Sequence, residues 1–373
     1  MSKLAPLDMA FLFLENSSRQ LHMTAYQMFK VPARQKNAWV NKVLSTFRNS
    51  EVAAPFNQKI KWLGKDVASW ETVEPDLNYH VRHIAVPPPG TMQQFYDMVS
   101  FLNTPLLDRN LPLWDCYIID GIEGNHVAIM LRVHHAMIDG GGALKLFRAA
   151  MNDKASDKSI RAVWTPQQKK PRKRSSRKSQ PQLKQLLSTL SKVPSGILGT
   201  GTEFAKMGAQ SLKLRDVEAS LPFSASHTLF NNVARSAARR YANCEIPLAD
   251  IKAISKKTGT TVNDVVTTVI DDALHHYLKD HDASVDKPLV SLMAMSLRTE
   301  DHGATGNQVS VELVPMGEAN ATIGKRLEQV HESIARVKKK SSRLPNAARQ
   351  FYSLLVFGSS AISDFSSALE QNP

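Results

Sequence analysis

Cysteine is scarce in this 373-residue chain, which contains only Cys116 and Cys244. Two isolated cysteines without a CxxC spacing argue against both a disulfide framework and a zinc site. The chain also lacks an apolar run long enough to cross a bilayer, and its first residues lack the basic start and apolar middle of a secretory signal. We therefore expect a cytoplasmic protein that is not an integral membrane protein.

Positive charge is abundant but unevenly distributed. The formal net charge is +13, and one short stretch holds seven cations, namely Lys169, Lys170, Arg172, Lys173, Arg174, Arg177 and Lys178. A charge of this size indicates an anionic partner such as phosphate groups, anionic lipid or nucleic acid. Nucleic acid is not expected, because no aromatic residues alternate with these cations and no recognised binding module surrounds them.

The length of the chain predicts two domains. From Pro6 to about Met151, short β-like runs alternate with helical patterns, which is typical of an α/β or α+β domain. Between residues 155 and 181 the composition shifts to Lys, Arg, Ser, Gln and Pro, as in a solvated linker. We therefore expect a first domain over residues 1–154, a linker with a helix over 155–220, and a second domain over 221–373.

The helix expected after the basic stretch is amphipathic. Its apolar residues recur at i, i+3, i+4 and i+7, namely Leu183, Leu186, Leu187 and Leu190. A basic run followed by such a helix fits peripheral binding to an anionic membrane or lipid-droplet surface, and it also fits a linker with a core-packing helix, which is the more common origin of such a pattern. Both interpretations stay open.

The second domain begins with two predicted helices and a strand. Residues 248–257 form the first helix, and Thr261 opens the second with an acid three residues later, which is close to a capping box. Residues 289–295 are expected to form a buried strand. The apolar face of the second helix is predicted to comprise Val265, Val266, Val269, Ile270, Ala273 and Leu274.

Two histidines occur where a predicted hairpin ends. Residues 114–120 and 126–133 are strand-like with a turn-like segment between them, and His134 and His135 follow directly. Adjacent strand residues point to opposite faces, so we expect only one of the two histidines to enter a given site. This spacing argues against a joint metal site.

The residues after the histidines complete a distinctive run. Asp139 precedes Gly140 and two further glycines, which predicts a sharp turn with room for a ligand or for close backbone packing, and a helix is expected from Ala143. A histidine with an ordinary pKa of about 6.5 suits removal of a proton from an alcohol at neutral pH. Asp139 either fixes the tautomer of that histidine or holds the turn.

The run His134 to Gly140 resembles the HHxxxDG motif of the bacterial wax ester synthase/acyl-CoA:diacylglycerol acyltransferases. The likeness continues through most of the chain in the same order as in that family. The matching segments are Pro6-Leu7-Asp8, Phe11-Leu12, Glu15, Leu21-His22-Met23, Leu107-Asp108-Arg109, Pro112-Leu113-Trp114, Pro222-Phe223-Ser224, Thr261-Val262-Asn263-Asp264, Ser296-Leu297-Arg298 and Gly306-Asn307.

This resemblance implies two domains like those of the CoA-dependent acyltransferases, each with a mixed sheet flanked by helices. It implies direct transfer of a fatty acyl group from acyl-CoA to diacylglycerol or a long-chain alcohol, with acyl-CoA as co-substrate and no metal or other cofactor. Family members continue beyond the equivalent of Pro373, so we expect a second domain that lacks strands. Oligomeric state cannot be read from the sequence.

The resemblance also assigns roles to individual residues. His135 matches the general base and His134 its neighbour, while Asp139 matches an aspartate regarded as structural, with Arg298 as an expected partner. Asn263 is the candidate donor to the oxyanion, although an Asn in the first turn of a helix is often only a capping residue. We expect Asp264 to complete the cap and Gly140 to support the motif. The resemblance also implies an active-site channel, and we expect Pro112 and Trp114 to shape the core beside it.

Two alternatives remain, one within the CoA-dependent acyltransferases and one that is not catalytic. The HHxxxDG run alone also allows an acyltransferase for another alcohol, such as an antibiotic, a polyketide or a shikimate-type alcohol. A protein of the lipid surface that keeps the fold and has lost turnover is the non-catalytic alternative. Ester formation that depends on His135 would exclude the non-catalytic alternative.

Overall fold

A computed structural model of the chain describes residues 2–64, 68–154, 157–166, 225–231, 236–297, 309–344, 349, 352–354 and 356–357. These residues form two compact units. Unit 1 contains the described residues up to 166 together with 236–243, and unit 2 contains 225–231, 244–297 and the described residues from 309 onward. No helix within these ranges combines the length and the apolar character needed to span a membrane.

Unit 1 is built on a four-stranded mixed sheet in the order β2-β7-β6-β5, with β5 and β6 parallel and the other pairs antiparallel. A smaller sheet has the order β1-β4-β3. The mixed α/β character predicted from the sequence is confirmed. The helices and strands are β1 (Ser2–Lys3), α1 (Pro6–Leu14), β2 (His22–Lys30), α2 (Lys36–Arg48), β3 (Gln58–Trp62), β4 (Ala68–Thr72), α3 (Leu77–His80), β5 (Val81–Ala85), α4 (Met92–Leu102), β6 (Trp114–Ile122), β7 (His126–His134) and α5 (Gly140–Ala150).

The hairpin of β6 and β7 is the centre of the larger sheet, as the sequence predicts. Its turn uses Gly124 and Asn125 with φ of +68° and +60°, a left-handed conformation that glycine and asparagine adopt readily. Most side chains of both strands are buried, because the sheet is covered on its two faces.

The two faces of β6 pack against different parts of unit 1. On one face, Phe95 and Val99 of α4 join Tyr117 and Ile119 in an apolar cluster. Since side chains alternate along a strand, Trp114 belongs to the other face. There its ring lies 4.7 Å from that of Trp164, measured between centroids, and Trp164 in turn contacts Phe47 of α2 at 5.1 Å.

Unit 1 extends beyond the first domain predicted from the sequence. Trp164, which falls in the predicted linker, is 1% exposed and donates its indole N–H to Ser50 Oγ. Residues 236–243, expected in the second domain, lie on unit 1, where Tyr241 N donates to Ser100 Oγ and Gln20 Nε2 to Ala237 O. The basic stretch and the amphipathic helix predicted at 183–190 lie outside the described residues.

The longer elements that the structure describes in unit 2 are three helices and an antiparallel pair of strands. Helix α6 ends at Gly259, whose left-handed φ of +69° closes the helix as the predicted break requires. The predicted buried strand is instead half-exposed, with Leu292 at 49%. The elements are α6 (Leu248–Thr258), α7 (Val262–Asp280), β8 (Val290–Ser296), β9 (Val309–Pro315) and α8 (Ile323–Ser342).

The apolar face predicted for α7 is correct at Val265, which is buried, and wrong over most of its length. Val266, Val269 and Ile270 are each more than 40% exposed. The buried residues of this helix lie on the adjacent face, and most of them are polar. They are Asp264, Val265, Thr268, Asp271, His275 and Leu278. This polar face is the buried one because Asp271 forms an ion pair with a buried arginine of α8.

This ion pair joins Asp271 to Arg326, and both side chains are almost fully buried. Arg326 Nη1 donates to Asp271 Oδ2 over 2.7 Å, and the same oxygen accepts from Gly317 N at 3.0 Å. Arg326 also donates to Ala319 O and lies near Asp272. A buried pair of this kind costs much desolvation, so losing one partner leaves a charge that nothing compensates.

We expect Arg326→Met to lower the free energy of unfolding by about 3–5 kcal/mol, because Asp271 would remain buried without its cation. Urea unfolding followed by far-UV circular dichroism measures the loss. The matched control is Lys325→Met on the same helix, which breaks only the exposed pair with Glu328 and should leave the midpoint nearly unchanged. Equal effects of the two substitutions would contradict this account.

Candidate active site

The two adjacent histidines lie at the point where β7 ends. His134 is the last residue of the strand and is fully buried, whereas His135 begins the following turn and is partly exposed. Their backbone N–H groups donate to different neighbours, His134 to Leu113 O and His135 to Leu21 O, each over 2.9 Å. Because His134 is buried and His135 is partly exposed, only one of the two imidazoles is accessible, as the sequence predicts.

The ring of His134 is fixed by contacts on both nitrogens. Its Nδ1 accepts the backbone N–H of Ala136 at 3.0 Å, so Nε2 carries the proton. Nε2 lies 3.3 Å from Glu15 Oε1. This approach does not have the geometry of a hydrogen bond, so the ring N–H and the carboxylate interact electrostatically.

The ring of His135 lies in a less polar environment. It stacks on Phe11 of α1, with 5.0 Å between the centroids and 22° between the planes. Burial, the neighbouring His134 and, to a smaller extent, His22 lower the pKa of His135 to about 4, against the opposing effect of Asp139. The imidazole is therefore unprotonated at neutral pH and able to accept a proton.

Asp139 holds the turn that follows the histidines. It is the N-cap of α5, and its Oδ1 accepts the backbone N–H of Gly142 at 2.7 Å. The glycines are the first turn of the helix, which begins at Gly140 and not at Ala143 as predicted. A side chain at Gly140 would meet open space, so this position leaves room beside the motif. The expected partner Arg298 lies outside the described residues.

Helix α1 and its C-cap Glu15 supply residues that are recognisable in the sequence only as part of a family segment. Phe11 and Glu15 are four positions apart, which places them on one side of the helical turn. The Glu15 side chain is fully buried and accepts Leu21 N at 3.1 Å, while Arg109 donates to its other oxygen at 3.2 Å. The i, i+4 spacing of an aromatic and an acid is the signal that the sequence offered.

The charge of Glu15 is maintained by these donors. Burial by itself raises the pKa of Glu15, but the contacts with His134, the Leu21 N–H and Arg109 outweigh burial and lower it to about 2. Glu15 is therefore a carboxylate throughout the pH range in which enzymes work.

His22 is a third histidine near the motif. It lies opposite His134 in the pairing of β2 with β7, and its Nε2 donates to Asn103 Oδ1 at 2.8 Å. Thr24 Oγ1 donates to the same amide oxygen. Burial and the charge of Arg132 lower the pKa of His22. The sequence analysis quoted this histidine only as part of a family segment.

Pro112 and Trp114 are core residues, as expected. Both are buried, and Trp114 donates its indole N–H to Phe56 O at 2.8 Å. The ring of His80 stacks on Trp114 with 4.5 Å between the centroids. These residues fix the start of β6, and the carbonyl of Leu113, just before that strand, accepts the N–H of His134.

Asn263 and Asp264 belong to unit 2, at the start of α7. Thr261 is the N-cap, and with Asp264 it completes a capping box. Asp264 Oδ2 also accepts His331 Nδ1 of α8 at 2.7 Å. Asn263 is exposed and is not the capping residue. Its amide is therefore not engaged in closing the helix, which was the competing interpretation of this residue.

Comparison with known proteins places these residues in a family. The sequence profile of the wax ester synthase/diacylglycerol acyltransferase catalytic domain matches residues 4–266. A protein of Mycobacterium tuberculosis named "Probable diacyglycerol O-acyltransferase Tgs4" is 50% identical over 98% of this chain and 78% of its own length. The O-acyltransferase WSD of Acinetobacter baylyi is 30% identical over 96% of this chain and 77% of its own length.

Solved structures agree with the sequence comparisons. The wax ester synthase/diacylglycerol acyltransferase of Marinobacter aquaeolei VT8 matches with a TM-score of 0.65 and 26% identity, over 91% of this chain and 73% of that one. The first condensation domain of the CDA synthetase matches with a TM-score of 0.51 at 10% identity, over 91% of this chain and 74% of that one, which shows a shared fold. The chain belongs to the wax ester synthase/diacylglycerol acyltransferase family and is an acyltransferase.

Proposed function

We propose that this enzyme transfers a fatty acyl group from acyl-CoA to diacylglycerol or a long-chain alcohol, with His135 as general base. The observation that carries the proposal is the state of His135, which is partly exposed, held at the end of a buried strand and unprotonated at neutral pH. The names of the relatives support both kinds of product, triacylglycerol and wax ester.

The reaction needs one proton acceptor that later becomes a donor. His135 removes the hydroxyl proton as the alcohol oxygen attacks the thioester carbonyl, and a tetrahedral oxyanion forms. The intermediate collapses with cleavage of the carbon–sulfur bond, and the imidazolium gives its proton to the CoA thiolate. An imidazolium with a pKa of about 4 is a strong donor to a thiolate, whose conjugate thiol has an ordinary pKa of about 8.5.

The remaining motif residues have supporting roles in this proposal. The amide of Asn263 donates to the oxyanion, where one good donor contributes about 3 kcal/mol to the transition state. Asp264 fixes the helix turn that carries Asn263. Asp139 and Gly140 shape the turn beside His135, with Arg298 as partner of Asp139. The proton balance closes with acyl-CoA as co-substrate and requires no other cofactor.

We also propose that the enzyme works in the cytoplasm at an anionic membrane or lipid-droplet surface, from which it takes its lipid alcohol. The basic stretch at 169–178 supports this proposal. Exposed cations at the end of α8 add a second basic region, namely Arg336, Lys338, Lys339 and Arg343. Nucleic acid is not part of the proposal.

His135→Ala is expected to lower kcat at least about 100-fold, because general acid–base catalysis contributes a factor of this order or more. The assay follows CoA release and ester product from palmitoyl-CoA with hexadecanol or a diacylglycerol. His83→Ala is the matched control, since His83 lies in the same sheet, is half-exposed and pairs with Asp120. A folded His135→Ala enzyme with normal turnover would exclude His135 as the base.

The acid limb of the pH profile should report the lowered pKa of His135. Because the base form persists above pH 4, kcat/KM should stay level from pH 8 to about pH 5 and halve near pH 4. A solvated histidine would halve it near pH 6.5. Circular dichroism at each pH identifies loss by unfolding, and a midpoint near 6.5 in folded enzyme would contradict the prediction.

Binding to lipid vesicles should depend on the basic end of α8. We expect Lys338→Glu with Lys339→Glu to weaken co-flotation with phosphatidylglycerol-containing vesicles at least about tenfold, because charges near an anionic surface act over short range. The control is the pair Arg34→Glu with Lys42→Glu, which makes the same change in net charge at exposed positions of unit 1 and should weaken binding less. Equal weakening by the two pairs would mean that net charge alone governs binding.

A further inference from the structure

Both histidines of the motif are connected to the same buried carboxylate oxygen. Glu15 Oε1 accepts the backbone N–H of Leu21, and it also lies 3.3 Å from His134 Nε2. The other oxygen, Oε2, faces Arg109 at 3.2 Å. Glu15 thus places a full negative charge in a fully buried position beside the histidines. The proposed reaction has no step in which this carboxylate takes part.

The first connection runs from Glu15 through the backbone of Leu21. The N–H of Leu21 donates to Glu15 Oε1 at 3.1 Å, and the carbonyl of Leu21 accepts the N–H of His135 at 2.9 Å. A hydrogen bond to a carboxylate is stronger than one between neutral groups, so Leu21 is held firmly. The peptide group that precedes the His135 side chain is thereby fixed.

The second connection runs through the ring of His134. The carboxylate favours the tautomer with the proton on Nε2, because the partial positive charge of that N–H then lies 3.3 Å from a carboxylate oxygen. Nδ1 is left as an acceptor, and it accepts the N–H of Ala136 at 3.0 Å. The peptide group that follows the His135 side chain is thereby fixed as well.

We propose that Glu15 is the positioning residue of the histidine pair, because its Oε1 holds the two peptide groups on either side of His135 by separate routes. The proposal rests on His135 acting as the base. Glu15 contacts neither substrate nor reacting atoms in this arrangement. Its effect is to fix the direction of the His135 ring, which also stacks on Phe11 of α1, the helix that Glu15 caps.

Glu15→Gln is the variant that tests the role of the charge. Gln has the same size as Glu, and its side-chain oxygen can still accept the N–H of Leu21. Its NH₂ group, however, is a donor that faces the donors of Arg109 or His134, so one of these contacts is lost. We expect kcat to fall about 100-fold with KM unchanged within about twofold, since a small misplacement of a reacting group costs a factor of this order.

The measurement that is independent of turnover is the tautomer of His134. In protein labelled with ¹⁵N-histidine, two-bond ¹H–¹⁵N spectra distinguish a protonated from an unprotonated ring nitrogen, and a His134→Gln sample identifies the signals of His134 among the twelve histidines. We expect the Nε2–H tautomer in the unaltered enzyme and loss of that single tautomer in Glu15→Gln.

Asp115→Asn is the matched control. Asp115 is also a buried carboxylate of unit 1 paired with an arginine, and its hydrogen bonds go to Arg132 and Tyr117. It should lose stability as Glu15→Gln does, while the tautomer of His134 and the kcat of folded enzyme stay as in the unaltered protein. An equal fall in kcat per folded enzyme would overturn the proposal, because general loosening would then explain both variants.

The unaltered enzyme alone can also overturn the proposal. If His134 carries its proton on Nδ1, the second connection does not exist, whatever the variants do. If Glu15→Gln keeps both the tautomer and kcat, the carboxylate has no positioning role. A chain that makes no ester but shows the expected tautomer change would count against His135 as the base and would leave the role of Glu15 in positioning supported.

Discussion

The register between β2 and β7 is the constraint on which the active site depends. It places His22 opposite His134 over nine consecutive pairs, and the next carbonyl along, that of Leu21, therefore meets the N–H of His135. Side chains alternate along a strand, so a slip of one residue would turn His134 away from Glu15 and bring a different residue to the end of the strand. The buried face of β7 prevents such a slip.

The parts of the site that the sequence predicts are those set by local signals. The hairpin of β6 and β7 follows from two strand-like runs, the first rich in aromatic and branched residues, with a glycine and an asparagine between them. The histidines are placed because they come directly after the second run. The capping box at Thr261 and the end of α6 at Gly259 are local in the same sense. Each of these features depends only on residues that are close together in the sequence.

The parts that the sequence does not predict depend on distant partners. Glu15 contacts Arg109 and His134, and no periodicity relates residues so far apart. In α7 the apolar pattern is real, but the buried face is set by Asp271, which finds Arg326 in another helix. An amphipathic pattern shows that a face is apolar and leaves open what packs against it. Trp164 falls in the predicted linker and is buried because it packs against Trp114, fifty residues earlier in the chain.

The environment of His135 favours the base form and weakens the base at the same time. Burial and His134 keep the imidazole unprotonated, but a pKa of about 4 means a lower affinity for the alcohol proton than an ordinary histidine has. In the proposed reaction the low proton affinity is offset by orientation. A base that is already held in the reactive geometry does not have to lose conformational entropy to reach that geometry. A buried carboxylate that fixes the peptides on both sides of His135 is the kind of support that such a weak base requires.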